Sequence, residues 1–352
     1  MAPAPKIFPI YNFLMSSGVL PLAGVVRRIL VWHQGALGDL LLAGPALADI
    51  SRHYPLARLT GLGHPERWSL LSQTLPLTAV WDSGEAGWAS LFTDSPLPQK
   101  LLDRLAPFQL AVIFSPRPHP ILLGRLRQAG IAAVLWVPSF PEGGHESVAA
   151  CQARHLAGLG FEVESRPFRL VLEKNHGVDK LLDLPGDGPW VAVAPGSGNP
   201  LKNWPLAHYY EVTRALAWQY KTRVVWLAGP AEEAWLPYLK PLSAVQGQRL
   251  LYHLPLTRLA AVLKRCHLYL GGDSGLTHLA AAVGGPSVLA LFGPTDLRIW
   301  APPGSQVKIL TGPCDSPPCA QGRQINCPAP LCLKNLSPET VLEAAAALLP
   351  KA

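Results

Sequence analysis

The chain has 352 residues, a formal net charge of +7, and 49% hydrophobic against 15% charged residues. That length exceeds what one hydrophobic core usually holds, so two domains are expected, and the apolar content excludes a disordered chain. Lys and Arg are scattered, with no run resembling a nucleic-acid arm; the basic balance suits an anionic small ligand or an anionic membrane surface.

Residues 7–26 carry no charge and lie between Lys6 and the pair Arg27-Arg28. Two prolines, two glycines and Asn12 weaken a spanning helix, and no small-x-small cleavage site follows. An interfacial anchor or ordered arm is therefore expected ahead of the first strand. From there, short apolar runs alternate with amphipathic stretches, the pattern of parallel α/β units. Strands are expected at 29–33, 58–62, 79–82, 111–115 and 134–137, with helices such as 40–53 and 148–159 between them. The charged, Gly/Pro-rich stretch 173–189 reads as a linker. A second series follows, with strands at 190–194, 223–228, 250–253, 268–270 and 287–292. The chain closes on an Ala/Leu-rich helix at 338–349 with Ser337 as its N-cap. Cys314, Cys319, Cys327 and Cys332 are spaced C-x4-C-x7-C-x4-C, unlike the paired C-x2-C of zinc ribbons. Reduced thiols or a local disulfide are expected there, and no metal site.

The fold class is thus α/β, two doubly wound domains in tandem, in which ligands bind beyond the carboxyl ends of the strands. Three strand-to-helix junctions stand out. The first is His33-Gln34-Gly35-Ala36-Leu37-Gly38-Asp39, where glycines let the backbone approach a ligand closely. It lacks G-x-G-x-x-G, which counts against a nicotinamide-dependent oxidoreductase. Asp39 is either a helix N-cap or a carboxylate free to accept a proton. The second is Pro195-Gly196-Ser197-Gly198, an anion-binding loop with Lys202 close behind. The third runs from Asp273 through Ser274, Gly275 and Thr277 to His278, at a helix start suited to a diphosphate.

Taken in order, Gly35-Ala-Leu-Gly-Asp39, Pro195-Gly-Ser-Gly198 with Lys202-x-Trp-Pro205, Gly229-Pro-Ala-Glu232, Asp273-Ser-Gly-Leu-Thr-His278 and Phe292-Gly-Pro-Thr295 resemble the lipopolysaccharide heptosyltransferases, glycosyltransferase family 9. The resemblance runs from about Arg28 to the C-terminal helix. It implies the GT-B fold, two Rossmann-like domains at 28–175 and 186–335. An extension, 1–27, precedes them, and a C-terminal helix, 336–352, packs back toward the first domain. It further implies an inverting, metal-independent enzyme with no cofactor. The donor is an ADP-activated sugar, most simply ADP-heptose, and the acceptor a glycolipid or oligosaccharide of lipopolysaccharide type. Such an enzyme works in the cytoplasm, in peripheral contact with the inner membrane. By the same resemblance Asp39 is the general base and Lys202 serves the donor phosphates. Glu232 lies near the nucleoside, and Gly38, Ser197, Gly198, Asp273, Ser274, Gly275, Thr277 and His278 bind the donor. Arg117 and Arg125 are candidates for the acceptor. A non-catalytic nucleotide-sugar-binding relative is the alternative, against which the presence of both Asp39 and Lys202 counts.

Overall fold

The computed structural model describes residues 20–142, 146–164, 166–173, 177–183, 186–314, 319–321, 324–327 and 329–350. The apolar arm expected at 7–26 lies outside them up to residue 19. Among the described residues no helix is long and apolar enough to cross a membrane.

The first domain holds β1 (Arg28–His33), β2 (Arg58–Gly63), β3 (Leu77–Asp82), β4 (Leu110–Ser115) and β5 (Ala133–Pro138). Its helices are α1 (Leu37–Leu42), α2 (Gly44–His53), α3 (Pro65–Ser69), α4 (Gln99–Leu105), α5 (Pro120–Gln128) and α6 (Val148–Gly158). The strands form one parallel sheet ordered β3-β2-β1-β4-β5. Strands β1, β2 and β4 are buried at all but one residue each, as strands covered by helices on both faces must be, whereas the edge strand β3 has no buried residue. The helix expected at 40–53 is two, broken at Ala43 because Pro45 in the first turn of α2 has no N–H to continue the ladder of α1.

The connecting stretch carries a short helix, α7 (Val178–Leu181). The second domain holds β6 (Trp190–Ala194), β7 (Arg223–Ala228), β8 (Gln248–Tyr252), β9 (Leu268–Gly272), β10 (Ser287–Leu291) and β11 (Val307–Leu310). Its helices are α8 (Leu206–Tyr220), α9 (Leu236–Leu239), α10 (Leu256–Arg265), α11 (Gly275–Val283), α12 (Leu297–Trp300), α13 (Leu331–Lys334) and α14 (Pro338–Ala346). Its sheet is also parallel, ordered β11-β10-β9-β6-β7-β8. Strand β11 is an element that the sequence reading missed.

Both sheets reverse their strand order once, between β1 and β4 and between β6 and β9. At such a reversal adjacent connections leave for opposite faces and open a crevice. The loops after β1, β6 and β9 are the three glycine-rich junctions. Across the domain boundary α1 packs against α11. A Cβ on Gly38 would stand 2.9 Å from Cδ2 of His278, and one on Gly275 would stand 3.0 Å from Cβ of Leu37. Glycine at these two positions lets the helix starts of the two domains meet.

The C-terminal helix corrects an expectation. Val341, Ala344 and Ala345 of α14 are buried in one cluster with Tyr209, Val212 and Leu216 of α8. Trp204 Nε1 donates to the Leu336 carbonyl at 2.9 Å and ties the preceding turn to the same domain. The helix therefore packs on the second domain and not back toward the first, because its apolar stripe matches the stripe that α8 leaves uncovered.

Candidate active site

After β1 the chain turns through Gln34, Gly35 and Ala36 into α1. The N-cap is Ala36, not Asp39. Asp39 sits at the third helical position, and its Oδ2 accepts the Ala36 N–H at 3.0 Å. The half-buried carboxylate thus satisfies one orphan donor of the helix start, and the residue lines the cleft. Helix α3 pins the turn: Arg67 donates to the Gly35 carbonyl at 2.9 Å, and Trp68 Nε1 to the His33 carbonyl at 3.3 Å.

The junction after β6 folds on its own side chains. Ser197 Oγ lies 2.8 Å from both the Asn199 carbonyl and Asn203 Oδ1, and Lys202 closes a single 3-10 turn, Pro200–Lys202. Lys202 Nζ stands 2.9 Å from Asp273 Oδ2, and Thr295 Oγ1 donates to the same oxygen at 2.6 Å. Asp273 is only 6% exposed. A carboxylate that buried needs both an ion-pair partner and a hydrogen-bond donor to offset its lost hydration, and it has both. One residue further on, Ser274 is the N-cap of α11, and its backbone turns the positive end of that helix toward the cleft.

These parts enclose a cavity of about 310 Å³ between the domains. Around it the structure gathers Gly38 and Asp39 from the first domain with Gly198, Lys202, Asp273, Ser274, Gly275 and His278 from the second. A second cavity, about 370 Å³, adjoins it and shares Gly198, Ser274 and Gly275; Ser197 and Glu232 line it. The small-residue loops after β6 and β9 separate a polar chamber from a more apolar one walled by Leu251, Leu254 and Leu259.

Glu232, 2% exposed, accepts the Gly196 N–H on Oε1 at 2.9 Å and the Gly229 N–H on Oε2 at 2.8 Å. Burial pushes its carboxyl above the usual range, against the pull of those two donors. It braces the loops after β6 and β7, so that part of its contribution to the pocket is made through backbone. Burial lowers the His278 imidazole, against the opposing charges of Asp273 and Asp39, and favours a neutral ring.

Three expected site residues fall elsewhere. Thr277 is fully buried and donates its hydroxyl to the Gly272 carbonyl, also meeting the Tyr269 hydroxyl at 3.1 Å. It locks the start of α11 to β9 and lines neither cavity. Arg125 donates to the Ser95 carbonyl and to Gln128 Oε1, and Arg117 is exposed; neither lines either of these two cavities. Conversely, Thr295, Trp300 and Glu66 belong to the lining and were not singled out. Thr295 stands in the Phe-Gly-Pro-Thr motif, which was a usable signal. Glu66 Oε1 accepts the Leu256 N–H at 2.9 Å, capping α10 from across the domain boundary, a contact that nothing local announces. Among the described residues no disulfide joins any of the six cysteines.

The arrangement can place an anion against Lys202 and the start of α11 while presenting a carboxylate from the opposite domain. A family model, glycosyltransferase family 9 (heptosyltransferase), matches residues 148–329, about half of the chain. Lipopolysaccharide heptosyltransferase 2 of Escherichia coli is 28% identical over 142 residues, 39% of this chain and 40% of that protein. Lipopolysaccharide heptosyltransferase 1 of Pseudomonas aeruginosa is 28% identical over 192 residues, 50% of this chain and 53% of that protein. The chain therefore spans about half the length, or less, of these curated relatives. The crystal structure of a glycosyl transferase family 9 protein from Veillonella parvula superposes with a TM-score of 0.72 at 16% identity, covering 92% of this chain and 97% of that one. Two parallel-sheet domains meeting at their switch points, and a family match that includes the loops after β6 and β9, lead to one conclusion: the chain belongs to glycosyltransferase family 9, the heptosyltransferase family.

Proposed function

We propose that the chain is an inverting glycosyltransferase that moves a heptose from ADP-heptose onto a hydroxyl of a lipopolysaccharide-type glycan. The observation that carries this reading is the meeting of Asp39 with Lys202, Asp273 and the start of α11 around one chamber, beside a second chamber with apolar walls.

The nucleoside occupies the apolar chamber, where its base is shielded from water. The diphosphate crosses the Gly198 and Ser274–Gly275 partition, where Lys202 and the helix start neutralise it. The acceptor hydroxyl gives its proton to Asp39 as its oxygen bonds to the anomeric carbon. The bond from that carbon to the diphosphate oxygen breaks on the opposite face, and ADP leaves with the electron pair. Charge grows on the diphosphate in the transition state, so Lys202 and the N–H groups of α11 stabilise that state more than the ground state. This chain's own cations and dipoles can carry that role without a divalent ion. A lipid-linked acceptor places the enzyme against the cytoplasmic face of a membrane.

The test is a panel of ADP-, GDP-, UDP- and CMP-sugars, assayed for transfer to heptose-deficient lipopolysaccharide and for hydrolysis. Turnover confined to ADP-heptose supports the reading. Turnover of another nucleotide sugar would overturn the donor, and binding without turnover would make the chain a non-catalytic relative.

A further inference from the structure

The chamber holding Asp39 and Lys202 has two kinds of wall. One is polar, with Asp39, Lys202, Asp273 and His278; the other is apolar, with Leu42 from the first domain and Trp300 and Ile325 from the second. Trp300 ends α12 and is 9% exposed. Its ring packs on Phe140 of the first domain, centroids 5.9 Å apart at an interplanar angle of 53°. A pyranose has the same division, a rim of hydroxyls around faces of C–H bonds. The apolar face of a sugar gains by packing on an indole as other apolar groups do, while its hydroxyls need polar partners.

We infer that Trp300 is the platform against which the C–H face of the transferred sugar packs, and that Phe140 holds the indole in place from the opposite domain. The inference rests on the proposed function and adds a binding site for the sugar itself. With the leaving diphosphate at Lys202 and the attacking hydroxyl at Asp39, the ring lies between them, and the aromatic side of the chamber is the face left to it. Because the platform comes from one domain and its support from the other, the sugar is gripped only when the domains are together. Phe140 acts through Trp300 and is a positioning residue.

Calorimetric titration with ADP and with ADP-heptose separates this site from the nucleotide site. Trp300→Ala and Trp300→Leu should each weaken ADP-heptose about tenfold and leave ADP within about twofold. Trp300→Phe keeps a flat ring and should retain most of the affinity, and Phe140→Ala should show a smaller loss of the same kind. The Leu variant keeps apolar bulk in the core, so it guards against a folding failure in the Ala variant. Equal loss of ADP and ADP-heptose, or no loss of either, would overturn the platform. Failure of the unaltered protein to bind ADP at all would overturn the proposed function as well, a distinguishable result.

Discussion

The two sides of the cleft are built differently. On the second domain, Asp273 is held by Lys202 and Thr295, and Glu232 by two backbone donors, and both carboxylates are buried. On the first domain, Asp39 is half-buried and accepts the Ala36 N–H of its own helix start. A buried, fully partnered network cannot move cheaply, since each broken contact leaves a desolvated group behind. The proposed donor side is therefore fixed in advance, whereas the proposed base is a less buried carboxylate on the other domain. That division suits a reaction in which an anion must be received in one geometry and the attacking group arrives on a separate substrate.

The sharpest way to break the comparison is Asp39→Asn. Asn still accepts the Ala36 N–H, so the melting temperature should stay within about a degree or two. Turnover should fall about a hundredfold or more, the usual size of a general-base contribution, with donor affinity preserved. A normal rate would reduce Asp39 to a helix-start residue. Lys202→Ala acts on the other side and should do what Asp39→Asn does not. It removes a cation from the diphosphate and leaves Asp273 buried without its ion-pair partner, so donor affinity and turnover should both drop by about ten- to a hundredfold. Kinetics like those of the unaltered chain would contradict the assignment. Glu66→Ala probes the junction of the two sides. It strips the cap from α10 and should raise the donor KM severalfold, while Glu66→Gln, which still offers an oxygen to the Leu256 N–H, should recover most of the loss. An effect on kcat alone would argue against a role at the nucleoside chamber.

The smallest effect is a pH dependence. Burial lowers the His278 pKa below its unfolded value, so the folded state prefers the neutral ring and the unfolded state binds more protons. The stability tied to that residue is present above the unfolded value, near 6.5, and is lost as pH falls below it. Between pH 7.5 and 5.5 the melting temperature of the unaltered chain should drop more steeply than that of His278→Gln. Parallel curves would show that the ring does not titrate as argued.

Much of this was legible because its causes are local. Strands β6 and β7 were read to the residue, since each is an apolar run bounded by turn residues, and the glycine-rich junctions followed directly from them. What was not legible depends on partners far away in sequence. Thr277 lies among ligand-type residues, yet the helix turns it into β9, and no spacing rule separates it from Ser274. Trp300 and Glu66 stand in unremarkable segments, and only the meeting of the domains makes them part of the site. The misplaced C-terminal helix is the same lesson: its amphipathic stripe was readable, but the surface that receives it was not. Strand β11 escaped because four residues interrupted by Lys308 give too short a run to mark a strand.

The most direct test of the mechanism is the anomeric configuration of the transferred sugar, read by NMR on the product of ADP-heptose and a soluble acceptor. If Asp39 takes the acceptor's proton while the diphosphate leaves from the opposite face, there is one displacement, and the configuration at the anomeric carbon must be inverted relative to the donor. Retention would require either two displacements, with a protein group bonded to the sugar in between, or attack on the face from which the diphosphate leaves. Either route would contradict attack by the deprotonated hydroxyl on the face opposite the diphosphate.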